Sequence, residues 1–176
     1  MISKTNLNKE VDKIFLAFSK LKLWIELLPR DTWNKNLRTM LPSFAWQELR
    51  EDTLVLAKGR CSICKQKSNT LDAHEVWGIN DLNNTQGLLN IIAVCKDCHN
   101  VIHFGHTVAT SANSRCEEIK NHFTNVNKCS EKIFDVHLYY TMALWEDRNN
   151  YKWKIDWGKY TELVNNYKET GESNNA

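Results

Sequence analysis

Two cysteine pairs, Cys61-x-x-Cys64 and Cys95-x-x-Cys98, stand out in the 176 residues. A CxxC pair on a tight knuckle presents two thiolates to one point, and two such knuckles close a tetrahedral four-sulfur zinc site. Arg60, Lys65, Lys67 and Lys96 beside them would offset the negative charge of a zinc carrying four thiolates. The competing readings are four buried reduced cysteines and a redox-active CxxC, but neither pair opens a thioredoxin-like helix pattern. Three histidines extend the chemistry. His99 and His103 stand four apart on a helix predicted from about Asp97 to Phe104 and ended by Gly105, so both face one side. His74 lies in a predicted strand that an antiparallel partner would bring over that helix. Three imidazoles converging there would form a second, solvent-open metal site with positions left for water and a phosphate oxygen. The plainer alternatives are a buried structural His74, a His99 that caps or packs, and a zinc site in which a histidine replaces one cysteine.

The elements that must position these groups follow from periodicity. Val11, Ile14, Phe15, Phe18, Leu21, Ile25 and Leu28 predict a helix over residues 7–28, stopped by Pro29. Leu16, Leu23, Trp24 and Leu27 give it a second apolar face, which suits burial on two sides or a homodimer. Ser43 is the expected N-cap of a second helix to about Lys58, with Trp46, Leu49, Thr53 and Leu56 facing inward and Gly59 ending it. Leu71–Trp77 and Leu89–Val94 suit strands, and the Asn- and Asp-rich stretch from Gly78 to Gly87 reads as turn or loop. Arg115–Glu146 reads as two helices, with His122 and His137 on their surfaces and Cys116 and Cys129 as free thiols. Tyr151–Leu163 reads as a strand or turn followed by a short helix. The organisation expected is an N-terminal helical segment (1–58), a zinc-bound core (59–106), a C-terminal helical segment with a Trp-rich end (107–169) and a flexible tail (170–176).

Composition narrows the function classes. Hydrophobic residues make up 42% and charged residues 25%, with 6 Gly and 2 Pro, the profile of a folded globular chain. Mean hydropathy is −0.52, and no apolar run has the length of a membrane span. No secretion signal is visible in the first ten residues, so a reducing, cytoplasmic setting is expected, where closely spaced cysteines favour metal over disulfide. The formal net charge of +2 is spread evenly, with no basic tail or run. A tight, sequence-blind DNA clamp is therefore disfavoured, because phosphate neutralisation supplies most of that affinity.

The order Cys61-x-x-Cys64, His74, Asn90, Cys95-x-x-Cys98-His99-x-x-x-His103 resembles an HNH endonuclease core. More narrowly, the chain is similar to small HNH-like proteins of bacteria and phages. The similarity rests on Trp33 to Arg38, Trp46-Gln-Glu-Leu-Arg50, His74-Glu-Val-Trp77, Ile92-Ala-Val-Cys95 and Trp145 to Asp156. It covers about residues 29–160. It implies an α+β, mainly α fold: a zinc-stabilised treble-clef, ββα-metal core flanked by helices. It implies that His74, His99 and His103 hold a catalytic Mg²⁺, Mn²⁺, Ni²⁺ or Zn²⁺, and that Asn90 matches the family's base-orienting Asn. The position after the first ligand, where the family keeps its general-base His, is Glu75. That glutamate could be the base, a partner of a ligand histidine, or a salt-bridge residue. Trp77 could be core or a base-stacking platform, and His106 a loop residue or a substrate contact. The implied activity is metal-dependent hydrolysis of phosphodiester bonds in nucleic acid or a small nucleotide, cyclic ones included, inside a bacterial or phage-infected cell. The alternative is a fold that has lost hydrolysis and sequesters a nucleotide signal or binds a protein.

Overall fold

The computed structural model describes residue 16 and residues 18–169. Among these the fold is α+β and mainly helical, with seven α-helices and one three-stranded sheet. The described residues divide into two compact units: Leu28–Lys96 with residues 144–169, and the described residues before Leu28 with Asp97–Ala143.

In the first of these, helix α1 (Leu37–Met40) opens on Asn36, which closes a capping box with Thr39. Helix α2 (Ser43–Ala57) starts after Pro42 and stops where Lys58 and Gly59 turn left-handed, at φ of 52° and 68°. Strand β1 (Leu71–Asn80) pairs antiparallel with β2 (Thr85–Cys95), and β3 (Lys154–Asp156) adds in parallel at Thr85–Gly87. The strands run further than the sequence suggests. Gly78 and Gly87, expected in a loop, face each other across the ladder, and only residues 81–84 turn. A bulge after Val76 lets the Leu89 side chain lie over Gly78, where an added Cβ would sit 3.2 Å from it.

Leu37, Leu41, Ala45, Trp77, Leu88, Ile91, Trp157 and Val164 form the core of this unit, with Trp77 and Trp157 edge to face at 5.9 Å. Trp77 is thus a packing residue. Leu56, expected inside, is 80% exposed. The Trp33 and Trp145 indoles stack, and both donate to the Leu28 carbonyl at 3.0 Å. The strand-then-helix reading of the C-terminal stretch holds, as β3 followed by α7 (Thr161–Glu169).

In the other unit, α3 (Lys96–Ile102), α4 (Phe104–Thr110), α5 (Asn113–Asn127) and the first part of α6 (Glu131–Arg148) surround Phe104, Phe123 and Phe134, whose rings meet edge to face at 5.0 and 5.1 Å. Gly105 does not end a helix. The break falls at His103 (φ −93°, ψ 40°), and Gly105 lies inside α4, where a Cβ would stand 3.2 Å from Leu27.

The predicted helix 7–28 is corrected over its described end. Most of residues 7–17 lie outside the described residues, and from Leu21 to Leu28 the chain is irregular. Side chains satisfy its backbone in place of helical carbonyls. The Asn127 amide oxygen accepts from Lys22 and Leu23 N–H at 2.8 and 3.1 Å, and its nitrogen donates to the Leu23 carbonyl at 2.8 Å. The Ile25 N–H donates to His137 Nε2 at 3.0 Å, and the Glu26 N–H to the Ile102 carbonyl at 2.9 Å. Leu23 and Ile25 are buried two apart, an extended pattern.

His137 is therefore an internal residue, not a helix-surface one. It stacks on Phe123, and burial pushes its imidazole down to about 4. The depressed value means that His137 contributes stability that is present above about 6.5 and lost as pH falls through about 4. The contribution is roughly 3 kcal/mol. Urea unfolding of His137→Gln across that window should show a shallower acid loss than the wild type; parallel curves would count against the buried-acceptor role.

Candidate metal centre

The first knuckle forms where the left-handed Lys58 and Gly59 turn the chain back from α2. The Cys61 N–H donates to the Gln66 carbonyl and the Lys65 N–H to the Cys61 carbonyl, each at 3.0 Å. The Ile63 N–H points at Cys61 Sγ, 3.4 Å away. The Ser62 N–H donates to the Ala93 carbonyl at 2.7 Å, which clips this knuckle to β2. Strand β2 then runs into α3 with no intervening residue, which puts Cys95 and Cys98 on either side of the strand–helix change.

The ligand atoms of Cys61, Cys64, Cys95 and Cys98 all lie within 4.8 Å of one another, and Cys64 and Cys95 Sγ are 3.8 Å apart. Sulfurs at zinc bond length in a tetrahedron stand about 3.8 Å from each other, so this cluster could hold a zinc ion. Burial pushes the Cys64 thiol up to about 11, with the neighbouring Cys61 and Cys95 adding to the rise. That is the reverse of the depressed thiol a redox CxxC needs.

His74, His99 and His103 form a second group, again with ligand atoms within 4.8 Å of one another. His74 is buried in β1; His99 and His103 lie one turn apart with ring centroids at 4.8 Å. Desolvation first, then the nearby His99 and His106, push the His103 imidazole down to about 4, although part of the side chain is open to water. His103 is thus neutral at pH 7, the form that ligates metal. His106 is exposed on α4.

Glu75 and Asn90 have other partners. Side chains alternate along a strand, so Glu75 faces away from His74. It accepts the Leu37 N–H at 2.7 Å, at the first turn of α1, and also the Trp77 indole hydrogen. Burial pushes its carboxyl up to about 7 against those two bonds. Asn90 accepts from Lys159 Nζ at 3.0 Å, beside a cavity of about 470 Å³ that none of the three histidines lines. Asp72 is exposed two strand positions from His74, hence on the His74 face. Spacing gave no hint of His122: it lies on α5 with Nε2 3.2 Å from Cys98 Sγ, not on a bare helix surface.

No protein-family model, no curated protein and no solved structure matches the chain.

Two outcomes follow from this geometry. Native mass spectrometry should find one zinc per chain at the sulfur cluster, lost in a Cys61→Ser, Cys95→Ser double variant. The Glu75 carboxyl is raised in the fold, so it contributes stability that is complete below about 4.5 and lost as pH rises through about 7, roughly 3 kcal/mol in all. Glu75→Gln should remove that component of the pH dependence in denaturant titrations; an unaltered profile would place the carboxylate in water.

Proposed function

We propose that the chain is a metal-dependent phosphodiesterase of the HNH type, its treble-clef core stapled by the four cysteines. The observation that carries this reading is the convergence of His74, His99 and His103, drawn from a β-hairpin and the helix that directly follows it. A divalent ion held by those imidazoles would supply Lewis-acid polarisation of a phosphate oxygen and stabilise the charge on a leaving oxygen. The buried His74 fixes one ligand direction, while His99 and His103 sit on the side open to solvent. Neutral His103 offers a lone pair at pH 7. Because Glu75 spends its carboxylate on Leu37 and Trp77, the reading takes no proton through it and assigns the orientation of the attacking water to Asp72. The evenly spread charge of the sequence favours a short or small nucleotide over long duplex DNA.

A second reading, nucleotide binding without hydrolysis, draws on the same engagement of Glu75, which leaves the family's base position without a base. A homodimer through helix 7–28 is not carried further: residues 7–15 and 17 lie outside the described residues, and the chain is irregular from Leu21 to Leu28. Among the described residues, no helix is long and apolar enough to cross a membrane.

The test is cleavage of plasmid, single strands and cyclic dinucleotides with Mg²⁺, Mn²⁺, Ni²⁺ or Zn²⁺. Wild type should give metal-dependent product. His99→Ala should lose it by at least about a hundredfold, Asp72→Asn by about tenfold to a thousandfold, and Glu75→Gln should keep most of it. Nucleotide binding without product in wild type and variants alike would establish the second reading instead.

A further inference from the structure

We infer that His122 is part of the zinc centre, donating its Nε2–H to the Cys98 thiolate and slowing loss of the metal. The inference rests on the four-sulfur zinc reading and is independent of phosphodiester hydrolysis.

Nε2 of His122 lies 3.2 Å from Cys98 Sγ, a separation suited to an N–H···S hydrogen bond. The contact is one of two that α5 makes with consecutive residues of the second knuckle. Arg115, in the first turn of α5, pairs with Asp97 at 2.5 Å. His122 stands seven residues later, two helical turns on and on the same face, and meets Cys98. One helix face thus grips both Asp97 and Cys98, and the imidazole is aimed rather than incidental.

The direction of the hydrogen bond follows from the chemistry of the sulfur. A cysteine thiol can donate to imidazole or accept from it, so either arrangement fits the metal-free protein. A cysteine bound to zinc has lost its proton and can only accept. A neutral imidazole carries one N–H, so with metal in place that hydrogen must sit on Nε2. Four thiolates around a doubly charged ion leave a net negative charge, and a donor on one sulfur spreads it. Polar partners of this kind orient ligands and raise metal affinity.

The experiment uses the full chain loaded with zinc, with His122→Leu to remove the donor at similar bulk and His122→Gln to restore an N–H donor. Zinc release to an excess of a chromogenic chelator is followed, with circular dichroism of the zinc-loaded proteins as a check on folding. His122→Leu should release zinc about ten- to a hundredfold faster, and His122→Gln should recover most of the difference. In wild type, long-range ¹H–¹⁵N spectra should show His122 as the Nε2–H tautomer once zinc is bound. Equal release rates in folded wild type and His122→Leu, or an Nδ1–H tautomer in the zinc-loaded protein, would overturn the inference. The tautomer decides the matter in wild type alone if the leucine variant does not fold. A wild type that takes up no zinc would overturn the four-sulfur reading itself, and a zinc-loaded wild type with the wrong tautomer only the role of His122.

Discussion

Strand β2 passes into helix α3 without a linking residue, and that continuity dictates where the candidate ligands can stand. Cys95 ends the strand and Cys98 lies in the first turn of the helix, so a strand end and a helix start present two sulfurs from one stretch of backbone. The other two come from a knuckle that the Ser62–Ala93 hydrogen bond holds against the same strand. Four thiols within 4.8 Å of one another, those of Cys61 and Cys98 buried, have little to gain from packing alone, since a thiol is a weak donor and a weak acceptor. An ion changes the balance. Structural zinc contributes on the order of 10 kcal/mol or more of apparent binding energy at neutral pH, which is comparable with the whole stability of an ordinary domain. The histidines inherit their placement from this join, because His99 and His103 follow Cys98 on the same run of chain.

What the sequence made legible is what covalent spacing controls. The two CxxC knuckles and the i, i+4 histidines could be read because chain geometry alone brings their partners within reach. The hairpin could be read in kind but not in length: Gly78 and Gly87 look like loop residues until they are seen paired opposite each other with Leu89 folded over Gly78. His122 was illegible because it is 24 residues from Cys98, and only the packing phase of α5 turns its ring toward the sulfur. No local pattern carries that phase.

The segment before Pro29 shows a different limit. Its apolar residues fit a helical period and also an extended one, and the choice between them is made by Asn127 and His137, both more than a hundred residues away. An Asn side chain offers an acceptor and a donor in the geometry of a peptide group, so it substitutes for a strand neighbour. His137 offers a lone pair on a ring that also stacks on Phe123. Once those groups satisfy the backbone, the helix loses its advantage. Adjacency misleads in the same way at His74 and Glu75. They are neighbours in sequence and belong to opposite faces of β1, one to the imidazole cluster and one to the start of α1.

Glu75 and His137 couple to pH with opposite signs, and the chain's acid response depends on whether its units unfold together. Burial favours the neutral form of both side chains: the carboxyl is raised to about 7 and the imidazole lowered to about 4. Acidification from pH 6.5 to 4.5 therefore strengthens the fold through one group and weakens it through the other by similar amounts. In a single cooperative transition the two slopes nearly cancel, and the wild-type profile looks featureless although each group is strongly perturbed. The groups lie in different compact units. If those units melt separately, the cancellation disappears: the unit holding Glu75 gains midpoint as pH falls while the unit holding His137 loses it. A flat wild-type profile that gives way to opposite slopes in the two single variants thus reports cooperativity between the units, not an absence of perturbed groups.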